Sequence, residues 1–131
     1  DASIVVYNRE SGNSKICLWA RCYTQELKIL WEKEIYCIEK SSGKLPFYFD
    51  ISTHNSMGFV VAIITPAEGL GFYSFDVVGN KVGYSEYKGM IGSPGFNLTR
   101  MNGRTMAIFE ESSGYGKIKD ITIKAKVIAL D

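Results

Sequence analysis

His54 is the only histidine in the chain, and it stands in the run FDISTHNSMG beside Asp50, Ser52, Thr53 and Ser56. These are the residue types of a nucleophile, a base and an orienting carboxylate. Acyl transfer needs them brought together in space around an oxyanion hole. Neighbours this close along one segment do not converge in that way, and no G-x-S-x-G elbow occurs. The segment reads as a polar loop between two strands. Paired carboxylates for glycoside hydrolysis are no better supplied. Glu110 and Glu111 are adjacent, so on a strand they point to opposite faces, and no spacing brings Asp50, Glu39 or Glu68 together. No catalytic residue is assigned.

Cys17, Cys22 and Cys37 follow a C-x4-C spacing with the third cysteine well downstream, which fits no zinc pattern. No calcium-loop motif is present, and the glycine-rich GLGF and GSPGF lack the strand–turn–helix setting of a phosphate loop. No metal or cofactor is expected. If Cys17 and Cys22 share an extended strand they lie about 17 Å apart and face opposite sides, so they cannot bond to each other. The first reading is three buried small apolar residues. The second is one disulfide from Cys37 to Cys17 or Cys22, with one thiol left over.

Composition narrows the function classes. The chain has 131 residues and a net charge of +1, with 15 basic and 14 acidic side chains. That balance gives no electrostatic footprint for nucleic acid, so no nucleic-acid partner is expected. The longest apolar run is GFVVAII, too short for a membrane span. The chain begins Asp1-Ala2-Ser3, which would suit a mature end after signal-peptide removal. The expectation is therefore an exported protein: secreted, periplasmic or on the cell surface. Aromatic residues make up 13%, including eight tyrosines. Tyrosine offers a flat, partly polar surface suited to sugar stacking and to protein interfaces. Tyr84 and Tyr87 near a hairpin, and Tyr115 between glycines in ESSGYGK, are the candidate ligand-binding residues.

These residues need a scaffold, and the pattern along the chain is β throughout. Strands are expected at 3–8, 15–23, 44–52 and 58–65, the last nearly all apolar as in a strand buried on both faces. Asn102-Gly103 is a strong turn dipeptide between two more. The stretch KIKDITIKAKVIAL alternates, with Ile118, Ile121, Ile123, Ala125 and Val127 expected inward and its lysines blunting a sheet edge. Residues 25–40 fit a helical stripe and an alternating strand equally well. Strands broken by a turn at Glu32-Lys33-Glu34 are preferred, with a single helix packed on the sheet as the alternative.

YSFDVVGNKVGYSEY (73–87) reads as a hairpin on a two-residue Gly79-Asn80 turn. That register pairs Phe75 with Tyr84 and Val77 with Val82 on an apolar face directed at the core. Phe72, Ser74, Ser85 and Tyr87 then fall on the solvated face.

The expected architecture is one all-β domain over 1–131, an antiparallel β-sandwich of jelly-roll or immunoglobulin-like type. The leading functional reading is a non-enzymatic module recognising a glycan or protein partner through exposed tyrosines. A structural subunit associating through sheet edges is the second, and a small hydrolase the third. The sequence leaves the oligomeric state open.

Overall fold

The computed structural model describes residues 2–12, 14–39, 48–54, 58–65, 69–88, 91–113 and 120–128. Every regular element among them is a strand: β1 (Ala2–Ser11), β2 (Lys15–Thr24), β3 (Ile29–Glu39), β4 (Tyr48–His54), β5 (Gly58–Thr65), β6 (Gly69–Asp76), β7 (Lys81–Tyr87), β8 (Ile91–Met101), β9 (Arg104–Ser113) and β10 (Asp120–Ile128). They form three antiparallel sheets, ordered β1-β2-β3, β4-β5-β6-β7 and β10-β9-β8. The fold is all-β and sandwich-like, and no helix occurs at 25–39. The chain divides into two compact units, Asp1–Pro46 and Phe47–Asp131.

In the first unit β3 is one continuous strand, without the turn expected at Glu32-Lys33-Glu34. Its pairing with β2 slips twice: Tyr36 faces Leu18 while Glu34 faces Trp19, and Trp31 faces Cys22 while Ile29 faces Tyr23. Ile35 and Leu30 are the extra residues. Each such bulge restores a side chain to the face it would otherwise leave. Cys17 and Cys37 are direct register partners and form a disulfide, while Cys22 is a buried free thiol. The reading of three separate buried cysteines is corrected accordingly. Cys22 points to the other face of β2, as alternation requires.

In the second unit two sheets meet face to face. Val60, Ala62 and Ile64 of β5, with Leu70 and Phe72 of β6, pack on Leu98 of β8 and Ala107 and Phe109 of β9. Asp50 on β4 ties the sheets together, its Oδ2 accepting the Leu98 amide at 2.7 Å while Oδ1 accepts the Ile51 amide at 2.8 Å. Gly58 permits a close backbone approach, because a Cβ there would lie 2.1 Å from the carbonyl oxygen of Phe75. The Asn102-Gly103 turn is as expected, with both residues at positive φ (51° and 75°) and Met101 facing Arg104. β10 pairs only with β9 and so ends its sheet. Ile123, expected inward, is 74% exposed on it.

The hairpin of residues 73–87 departs from expectation. The turn is not Gly79-Asn80 but Val77-Val78-Gly79. The Gly79 amide donates to the Asp76 carbonyl at 3.1 Å, and the Asp76 amide donates to the Asn80 carbonyl at 3.0 Å. Asp76 Oδ1 also accepts from the amides of Val78 (3.0 Å) and Asn80 (2.8 Å), and Gly79 supplies a φ of 77°. An aspartate at the first turn position and a glycine at the fourth are the local signature of this geometry. The register moves by two, so that Tyr73 faces Tyr84 and Phe72 faces Ser85. The side that packs on the second sheet is reversed as well, although Phe75 is buried as expected. Phe72, Leu70 and Tyr87 lie against the core, while Val77, Val78 and Val82 are 53%, 51% and 59% exposed. By capping the turn, Asp76 ends β6 before Val77 and Val78 and leaves these two at an exposed tip.

Candidate binding faces

The face of the second unit away from its sandwich core is buried along β5, where Phe59, Val61 and Ile63 reach it, and opens towards β7. Phe59 and Phe75 stack there with ring centroids 4.9 Å apart and an interplanar angle of 14°. Beyond them, Tyr73 and Tyr84 are cross-strand partners whose rings lie 4.9 Å apart, inclined at 49°. Gly71 makes room for both. A Cβ at that position would come within 3.3 Å of the Tyr73 ring and 3.4 Å of the Tyr84 ring. The Lys81 ammonium stands 4.9 Å from the Tyr73 centroid and 5.3 Å from that of Tyr84. At the other end, the Tyr84 hydroxyl donates to Glu86 Oε2 at 3.1 Å, and Glu86 Oε1 pairs with Lys88 at 3.0 Å. The result is an inclined aromatic pair with a cation and a carboxylate at its rim, and Tyr84 is 50% exposed.

Of the residues expected to bind a ligand, Tyr84 lies on this face. Tyr87 lies on the opposite side of β7, half-buried against the core, with its ring 4.8 Å from that of Phe109. The two tyrosines do not share a surface. Tyr115 lies outside the described residues. Tyr73, Lys81 and Gly71 escaped the sequence reading because the mistaken turn separated Tyr73 from Tyr84.

A second polar–aromatic cluster covers one face of the first unit. Register places Tyr7 and Arg9 of β1 beside Trp19 and Cys17 of β2, and Arg21 opposite Glu32 of β3. Arg21 pairs with Glu32 through two nitrogens and donates to the Tyr23 hydroxyl at 3.0 Å. Its guanidinium also lies over the Tyr7 and Tyr23 rings, at 5.3 and 5.9 Å. Arg9 reaches Glu32 at 3.5 Å and the Trp19 ring at 5.4 Å. Hydrogen bonding from Arg21 holds the Glu32 carboxyl below the usual carboxylate range. Burial of the Tyr7 hydroxyl, and then the neighbouring Glu32 carboxylate, raise its pKa. Both charges of the central pair are thus committed to each other. Such a cluster holds three strands in register, and it presents no free nucleophile or base.

The carboxylates of Asp50 and Asp76 are likewise engaged by backbone amides. A hollow of about 380 Å³ beside the β8–β9 turn is lined by Met101, Asn102, Arg104 and Met106, with no acid–base pair among them. The side chain of His54 is outside the described set. The chain matches no known family model, no curated protein and no solved structure.

Proposed function

We propose that this chain is a non-enzymatic binding module that takes a glycan on the Tyr73–Tyr84 face. The observation that carries the proposal is the Tyr73–Tyr84 pair, with Tyr84 half exposed and Lys81 and Glu86 at its rim. A pyranose presents an apolar C–H face that stacks on tyrosine, and hydroxyls that need donors and acceptors around it. Lys81 would donate and Glu86 would accept. The Cys17–Cys37 disulfide supports an oxidising location, secreted, periplasmic or at the cell surface, where extracellular glycans are found.

The test is a broad glycan array followed by calorimetric titration of any hit. Tyr84→Ala should weaken binding at least about tenfold, the equivalent of about 1.4 kcal/mol, and Tyr84→Phe should retain most of it. An array without a hit, or a hit that Tyr84→Ala binds as tightly, would remove this reading.

The second reading is a subunit that associates through a sheet edge. It is favoured by Ile123, 74% exposed on the edge strand β10. Light scattering at high concentration decides it, since a strict monomer excludes edge association.

A further inference from the structure

We infer that the chain, once its disulfide is reduced, holds a zinc-class divalent cation on Cys17, Cys37 and Glu34. Cys17 and Cys37 face each other across β2 and β3 with their Cα atoms 4.1 Å apart. Glu34 precedes Cys37 by an odd number of residues, and in an unbroken strand it would lie on the opposite face. The Ile35 bulge cancels that offset and sets Glu34 opposite Trp19, on the same face as both cysteines. The two Sγ atoms and a Glu34 carboxylate oxygen all lie within 4.8 Å of one another. Tetrahedral zinc with bonds of about 2.3 Å to sulfur needs donor separations of about 3.7 Å, and the three donors already lie within 4.8 Å of one another.

In the oxidised chain the sulfurs are bonded to each other and offer no thiolate. A dithiol reductant supplies two electrons and two protons, leaving two thiols here and becoming a disulfide itself. Metal binding then displaces both thiol protons. Two thiolates and a carboxylate form a soft donor set that favours zinc over calcium or magnesium, and water completes the fourth position. Cys22, buried on the other face of β2, cannot join the set.

The full chain is reduced with dithiothreitol, desalted without oxygen and titrated with Co²⁺, then with Zn²⁺ in competition. Near-ultraviolet circular dichroism follows the fold throughout. The reduced chain should develop thiolate-to-cobalt absorption that saturates at about one ion per chain and is abolished by zinc. The oxidised chain should show none. Glu34→Gln should weaken the cobalt affinity at least about tenfold, and Cys22→Ser should leave it unchanged. The inference is overturned if the reduced chain gives no such absorption, if Glu34→Gln binds equally well, or if Cys22→Ser abolishes binding. Loss of the fold on reduction that metal does not restore overturns it too.

Discussion

Leu27 occupies in the β2–β3 turn the position that Gly79 occupies in the β6–β7 turn. The Leu27 amide donates to the Thr24 carbonyl at 3.0 Å, as Gly79 does to Asp76 at 3.1 Å, and each closing pair runs from the first turn residue to the fifth. Thr24 Oγ1 accepts the Lys28 amide at 3.2 Å where Asp76 Oδ1 accepts that of Asn80 at 2.8 Å. The backbone conformation is shared too, with φ of 62° at Leu27 and 77° at Gly79. Leucine has a Cβ that this conformation crowds, and the side chain recovers nothing by packing, being 79% exposed.

Replacing Leu27 with glycine should therefore stabilise the fold. The left-handed conformation costs a β-carbon residue about 1–2 kcal/mol, offset in part by the greater chain entropy of unfolded glycine. The net gain expected for Leu27→Gly is about 0.5–1 kcal/mol, read as a higher denaturant midpoint at constant m. Gly79→Leu should move the midpoint the other way.

Asp50 is expected to matter more than its partly exposed position suggests. Its carboxylate accepts two backbone amides, one of them from the facing sheet. Asp50→Ala should cost about 2 kcal/mol, because the bonds are charge-assisted and the Leu98 amide loses its partner. Asp50→Asn should cost less, keeping one acceptor oxygen. Equilibrium urea unfolding distinguishes the two.

At Gly58 the prediction is steric. A methyl group there meets the carbonyl oxygen of Phe75 at 2.1 Å, and backbone on a central strand has little room to withdraw. Gly58→Ala should destabilise by about 2–3 kcal/mol, measured by thermal or denaturant unfolding.

Acid should act through Glu32. Its folded pKa lies below the unfolded value near 4.5, chiefly because Arg21 hydrogen-bonds the charged form. A depressed folded pKa means that the folded state binds fewer protons. The contribution is then complete above the unfolded value and is lost as pH falls through the folded one. Glu32→Gln should flatten the fall in melting temperature below about pH 4.5 and lower stability at neutral pH, as a pH series of thermal scans would show.

The turn at Asn102-Gly103 was legible from two residues because its signal is wholly local. The hairpin of residues 73–87 was not, since two turn signals overlap there and Gly79-Asn80 outweighed Asp76 with Gly79. Choosing wrongly moved the register by two, which keeps Tyr73 and Tyr84 on one face; which face packs on the second sheet is set by tertiary contacts that the hairpin alone does not encode. The ambiguity at 25–40 has a physical source in the bulges. Inserting Leu30 and Ile35 into an alternating strand spaces its apolar residues three and four apart, which imitates a helix. Tyr84 could be picked out by composition. Its partners Tyr73 and Lys81, like the Arg21–Glu32–Tyr7 cluster, depend on register between strands, which no single segment encodes.

The Ile35 bulge also bears on how this chain would be compared with any relative of different length. Because Ile35 has no partner on β2, it is the one residue near the disulfide that β3 can lose without changing what its neighbours face. In an alignment, a one-residue gap in this strand belongs between Glu34 and Cys37, at Ile35, and placing it beyond either residue would set that residue against the wrong column.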